Sequence, residues 1–252
     1  FAYGGMTCDG PAQTFTITVN PKGQVTDPSD QTACNGELTT AVTFVTNNTG
    51  GTTTYTWTNS DPTIGLAAGG SGNIAAFSAV NAGTSPVIAT IVVTPHFDNI
   101  ITCDGAAQTF TITVNPTGQV NDPADQVACA GLATTAVTFG TVNSGGTTTY
   151  TWTNDQPGIG LAAGGSGNIG SFTAVNAGTA PVVATITVIP HFTNGGKTCD
   201  GTAQTFTITV NPKGQVNDPG DQILCNGFPV TAITFTTNNT VGTTTYSWTN
   251  NT

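Results

Sequence analysis

A self-similarity with a period of about 95 residues constrains this chain more than any other feature of its sequence. QTFTITVNP occurs three times, at Gln13–Pro21, Gln108–Pro116 and Gln204–Pro212, and GLAAGGSGNI twice, at Gly65–Ile74 and Gly160–Ile169. Trp57, Trp152 and Trp248 are spaced by 95 and 96 residues, as are Cys34, Cys129 and Cys225. Solenoid repeats are shorter, and this period matches one compact domain. The expected divisions are residues 1–21, the end of one repeat; 22–116 and 117–212, two complete repeats; and 213–252, the start of another. Both ends then read as cut from a longer protein.

Within a repeat the apolar residues fall in short alternating runs bounded by Gly, Asn and Pro, the pattern of an all-β domain with many turns. Seven strand-like segments are expected in the first complete repeat, near 32–34, 40–45, 53–58, 64–67, 74–80, 87–97 and 108–115. In the last, Phe110, Ile112 and Val114 alternate with Thr109, Thr111 and Thr113, so one face is buried and the other is a row of hydroxyls. Seven short strands in a domain of this size fit an Ig-like β-sandwich. Trp57, Trp152 and Trp248 then take the place of a buried core Trp; an exposed Trp stacking on a sugar ring is the competing reading. Linkers such as NPKGQVTDP carry two prolines in nine residues, which favours an extended row of domains. The stretch between His96 and Cys103 is one residue shorter than that between His191 and Cys199, which marks it as a hairpin loop.

Three Lys, no Arg and 13 acidic residues give a formal net charge of −10. Nucleic-acid binding requires a cationic surface to displace counterions, and attraction to an anionic membrane requires the same, so neither partner is expected. No run of 18 apolar residues is present, and no membrane insertion is expected.

Six cysteines follow the repeat, two per unit. The expected pairing lies within each repeat, Cys34 with Cys103 and Cys129 with Cys199; the rival joins sequence neighbours across the linkers, as in Cys103 with Cys129. An extended row of domains separates Cys103 from Cys129 by a domain length, beyond the roughly 7 Å that a disulfide spans between Cα atoms. Zinc is disfavoured by the lack of CxxC pairs and by the presence of two His alone. Paired cysteines point to an oxidising, extracellular compartment.

Candidate chemistry is sparse. His96 and His191 follow Pro at equivalent positions and read as loop residues, with no acidic residue expected consistently beside them. Asp27 and Asp30, Asp122 and Asp125, and Asp218 and Asp221 recur as D-P-x-D at the start of each repeat. Such carboxylate pairs are candidate Ca²⁺ ligands, although six or more oxygens are needed and two are visible; an Asp-Pro turn is the competing reading. Asp104 and Asp200 read as turn residues, and GLAAGGSGNI as a turn, since it lacks the Lys of a phosphate loop. Asn47, Asn238 and Asn250 lie in N-x-T sequons.

The segments TTTYTWTN, IGLAAGGSGNI, FTAVNAGTAPVVATITVIP and CDGTAQTFTITVNP, in that order, resemble the PKD-like repeats of giant bacterial surface adhesins, as in gliding bacteria with type IX secretion. The resemblance covers essentially the whole chain. It implies an Ig-like sandwich, a bacterial cell-surface location and a non-catalytic structural or adhesive role in a stalk or filament. Its implied partners are neighbouring repeats of the same chain, with surface glycans and lateral copies as further candidates. It supplies no catalytic residues. A glycan-binding β-sandwich module is the alternative reading, which a run of exposed aromatics would favour.

Overall fold

The computed structural model describes residues 1–251. The chain divides into two units. The first comprises Phe1–Gln31, Leu38–Phe77 and Ile88–Ile112, and the second Thr32–Glu37, Ser78–Val87 and Thr113 onward. The strands are β1 (Ala2–Tyr3), β2 (Met6–Thr7), β3 (Gln31–Cys34), β4 (Thr52–Asn59), β5 (Gly69–Ser71), β6 (Val87–Asn99), β7 (Ile101–Asp104) and β8 (Gln108–Asn115). They continue as β9 (Gln126–Cys129), β10 (Thr147–Asn154), β11 (Gly164–Ser166), β12 (Val182–Asn194), β13 (Lys197–Asp200) and β14 (Gln204–Asn211).

In the second unit the sheet runs β11-β10-β12-β14-β9, with β13 also on β12. All pairs are antiparallel except β14 with β9, which is parallel. The period-two pattern dictates which face is buried. Tyr150, Trp152 and Asn154 of β10 turn inward, as do Ala184, Ile186, Val188 and Phe192 of β12 and Phe206, Ile208 and Val210 of β14. Their alternates are mostly Thr, and register aligns Thr153, Thr187 and Thr205 across three strands of the outer face.

The facing layer carries no regular strands. Instead, segments 131–139 and 169–174 meet through spaced pairs: Val137 N–H donates to Ile169 O at 2.8 Å, Ile169 N–H returns to Val137 O at 3.0 Å, and Thr134 N–H donates to Phe172 O at 2.9 Å. Val137, Phe139, Ile169 and Ala174 of this layer close the core over Trp152, Ile186 and Ile208. The first complete repeat has the same sheet order, β3-β8-β6-β4-β5 with β7 on β6, and Val42 bridges Ile74 in its facing layer. The chain is thus a nearly all-β protein built from Ig-like β-sandwich repeats.

Five expectations about the strands change. Residues 40–45 and 74–80 are not strands: they run as irregular segments of the facing layer that meet through the Val42–Ile74 bridge. Residues 64–67 are not a strand: Pro62 opens a 3-10 turn over Pro62–Ile64, capped by the Asp61 carboxylate, and Gly65 ends it at φ 97°. Gly69–Ser71, expected as a turn, is a strand on β4. A Cβ at Gly70 would lie 2.5 Å from Cζ2 of Trp57, so this strand closes over the indole only because it lacks a side chain there. The stretch around His96 is not a loop either, since β6 continues to Asn99 and turns directly into β7. The length difference sits at the hairpin tip, Ile100 at φ 72° in one repeat and Gly195–Gly196 at φ 58° and 73° in the other.

Trp57 and Trp152 are 8% exposed, whereas Trp248 is 73% exposed. The core assignment of Trp248 is therefore corrected. Among the described residues beyond Asn211 there is no strand, so Trp248 has no sheet face to enter.

Candidate functional site

The most developed polar site lies in the second unit, where residues 32–37 meet the β12–β13 hairpin. Gly195 and Gly196 provide the two consecutive positive φ angles that this hairpin tip requires, and the following strand carries Lys197 and Cys199. Cys199 bonds Cys34 with the Cα atoms 5.5 Å apart. Beside it Lys197 Nζ donates to Glu37 Oε1 at 2.6 Å, and the second carboxylate oxygen accepts from Cys34 N–H at 2.9 Å. The Lys197 hydrogen bond, with help from Cys34 N–H, holds the Glu37 carboxyl below its ordinary range. Asn115 and Asn194 exchange amide contacts: Asn115 Nδ2 donates to Asn194 O and Asn194 Nδ2 to Asn115 Oδ1, each at 3.0 Å.

The expected pairings of Cys34 with Cys103 and Cys129 with Cys199 are thus corrected. Cys34 bonds Cys199, while Cys103 and Cys129 are free, as are Cys8 and Cys225. The second repeat shows why. Gly118 N–H donates to Cys199 O, which places Cys199 beside the entry of its repeat. Ala130 N–H donates to Asn211 O, which places Cys129 beside the exit. The two cysteines of one repeat occupy opposite ends of it, and each faces a neighbouring repeat.

A second contact set involves Asn143. Its Oδ1 accepts from Gln119 N–H at 2.6 Å and its Nδ2 donates to Thr117 O at 3.2 Å, which fixes the linker conformation. Asn48 does the same for Gln24 and Lys22, and Asn239 for Gln215 and Lys213. Next to Asn143, Ser144 N–H donates to Thr84 O at 2.8 Å. Repetition marks these Asn residues in the sequence, but their role depends on long-range contacts invisible there. The sequon residues Asn47 and Asn238 are exposed beside Asn48 and Asn239.

His96 and His191 have partners that the sequence did not disclose. Cross-strand register sets His96 opposite Asp104 and His191 opposite Asp200. In each repeat His Nδ1 lies 2.6 Å from the Asp Oδ1, and His Nε2 lies 2.8 Å from the hydroxyl of Thr56 or Thr151. The Thr–His–Asp order is that of a nucleophile, a base and an orienting carboxylate. Here it lies on an open sheet face, with the Asp side chains 67% and 69% exposed. Water screens such a group, and its geometry suits a cross-strand hydrogen-bond chain joining three strands.

The D-P-x-D carboxylates are used separately. Asp30 Oδ1 accepts from Thr111 N–H and Asp125 Oδ1 from Thr207 N–H, both at 2.6 Å, where each Asp directly precedes the strand, β3 or β9, that flanks β8 or β14. Asp218 Oδ1 accepts from Gly220 N–H at 3.0 Å, and Asp27, Asp122 and Asp221 are exposed. Among the described residues no group of three or more His, Cys, Asp or Glu side chains converges on a metal position.

No family model matches the sequence, and no curated protein matches it. Solved structures with similar folds include mouse cadherin-23 EC22-24, at 12% identity and TM-score 0.41, covering 75% of this chain and 64% of that one. Drosophila N-cadherin EC1-4 is 14% identical with TM-score 0.41, covering 77% of this chain and 50% of that one. The fibronectin(III)-like modules of Clostridium thermocellum CbhA are 14% identical with TM-score 0.31, covering 75% and 94%.

The corrected bond changes what proteolysis should reveal. Trypsin has three sites, after Lys22, Lys197 and Lys213. Lys213 is exposed with exposed Gly214 after it, whereas Lys197 is ion-paired and lies in β13. Cleavage is expected first at Lys213 and later at Lys197. Fragments 1–197 and 198–213 should then stay joined on a non-reducing gel through Cys34–Cys199. Cys34→Ser should release them without reductant, and fragments that remain joined in that variant would mean that another cysteine holds Cys199.

Proposed function

We propose that this chain is a non-catalytic structural or adhesive repeat module in the stalk or filament of a large bacterial cell-surface protein. The observation that carries the reading is the bond between Cys34 of one sequence repeat and Cys199 of the next, flanked by an ion pair and a reciprocal amide pair. A covalent tie between successive modules serves a protein that bears tension. It also requires an oxidising compartment, as outside the cell. Near-identity of the repeats supports a spacer, which needs length rather than diversity. The glycan-binding alternative calls for an exposed aromatic ring in each repeat, whereas the indoles of the two complete repeats, Trp57 and Trp152, are 8% exposed and Trp248 alone of the three is exposed. The working partners are neighbouring repeats, with lateral copies as a further candidate for a filament. Antibodies raised against the folded chain should decorate intact cells of its source, with gold label standing away from the envelope. Label appearing only after permeabilisation would overturn the reading.

A further inference from the structure

Every repeat in this sequence carries cysteines at one or both of two positions. Cys34, Cys129 and Cys225 share the first, and Cys8, Cys103 and Cys199 the second. We propose that Cys34–Cys199 is one rung of a staggered series in which the first-position cysteine of each repeat bonds the hairpin cysteine of the next. Cys129 and Cys103 are then half-sites for two further rungs. The partner of Cys129 is the hairpin of a following repeat of this kind. The partner of Cys103 is the first-position cysteine of a preceding one. The proposal rests on reading the chain as part of one tandem array.

Two observations beyond the free thiols support it. First, the docking contact that accompanies the Cys34–Cys199 rung recurs upstream. Asn20 Nδ2 donates to Asn99 O at 2.5 Å and Asn99 Nδ2 to Asn20 Oδ1 at 3.2 Å, as Asn115 and Asn194 do. The first repeat's hairpin, which carries Cys103, is thereby seated on Asn20, at the end of the preceding QTFTITVNP segment. Second, Cys129 and Asn211, the equivalents of Cys34 and Asn115, line an open cleft of about 440 Å³ with Pro212 and Asn239. At the equivalent place in the preceding repeat, residues 32–37 and Asn115 hold the hairpin.

Side chains around that cleft specify the chemistry of the partner. Thr32 packs near Gly195, and Glu37 pairs with Lys197. The residues two before and three after Cys129 are instead Val127 and Leu132, which are 72% and 61% exposed. A hairpin with an aliphatic residue in place of Lys197 fits this surface. The first repeat's hairpin has that character, with Ile101 63% exposed. Forming the rung joins two thiols, which lose two protons and two electrons. A small-molecule disulfide accepts them and is reduced to two thiols.

The test lengthens the chain after Thr252 by a copy of residues 157–212, which completes the third repeat, with isoleucine at the copied Lys197 position. It is folded in a mixture of reduced and oxidised glutathione, alkylated, and mapped by peptic digestion and mass spectrometry without reduction. Two cross-links are expected, Cys34 with Cys199 and Cys129 with the copied hairpin cysteine, while Cys8, Cys103 and Cys225 are alkylated. Cys129→Ser should leave the copied cysteine alkylated and the first cross-link intact. A bond from Cys129 to Cys103 or Cys225, or an alkylated Cys129 in the folded chain, would overturn the proposal. Should the lengthened chain fail to fold, the same non-reducing map made on the protein isolated from its source decides. Cross-links confined within repeats there would refute the stagger, whatever the antibody experiment shows about location.

Discussion

Stretched from its two ends, the oxidised chain should release about 55–60 nm less contour length than the reduced chain. Cys34 and Cys199 are 165 residues apart, and each residue adds roughly 3.3–3.6 Å when extended. With the bond closed, tension passes from residue 34 to residue 199 through sulfur, and the intervening polypeptide stays slack. The within-repeat pairings would instead hide two segments of about 70 residues, each worth roughly 23–25 nm. Force spectroscopy with and without reductant separates these cases, and Cys34→Ser should behave as the reduced protein. The same closure should be visible at equilibrium. In the chain-entropy model a loop of this length stabilises the folded state by about 5 kcal/mol. A reduced protein with unchanged contour length would show that the Cys34–Cys199 bond is not formed in solution.

Truncation of Trp152 to Ala should destabilise the second repeat by about 3–5 kcal/mol, because it empties the largest side chain from the core. Its Nε1 is buried with no hydrogen-bond partner, so Trp152→Phe should cost markedly less. The reverse face of the same contact gives a sharper result. Gly165 lies in β11, where Ala would ordinarily be preferred to Gly in a strand. An added Cβ there would come 2.5 Å from Cζ2 of the Trp152 indole, so Gly165→Ala should destabilise, by about 1–3 kcal/mol. The double variant should be less destabilised than the sum of the two, since removing the indole removes the clash. Chemical denaturation of the four proteins decides, and strict additivity would mean that the glycine and the indole do not touch.

Local periodicity in the sequence carries most of the sheet. The alternation in TTTYTWTN and QTFTITVN sets which side chains face inward, and the structure buries those faces in β4, β8, β10 and β14. What escapes is set by contacts distant in sequence. Gly69–Ser71 reads as a turn because nothing local records the indole that it covers. The carboxylate beside His96 is eight residues away and becomes a neighbour only through the β6–β7 register. The disulfide escapes for a related reason. A repeated sequence states that its cysteines are equivalent, but not whether equivalent partners lie in the same copy or the next. Deciding that requires knowing which end of the sandwich each occupies, and this follows from the hydrogen bonds of Gly118 and Ala130.

The parallel pairing of β9 with β14 has a consequence for how such a chain comes to be folded. Gln126 aligns with Ile208, so the strand that opens the repeat finds its place beside the strand that closes it. An antiparallel hairpin zips as soon as its second arm appears, whereas this pairing waits until nearly the whole repeat has emerged. Contacts of such long sequence separation slow folding, because the loop entropy is lost before the contact is gained. Nascent repeats should therefore remain unstructured at their leading edge until the last strand arrives, and then close as a unit. A hairpin such as β12–β13 zips as soon as its second arm emerges, and the copy that it binds has by then already been made. Order along the chain would then be established in the direction of synthesis, each module completing the one that preceded it.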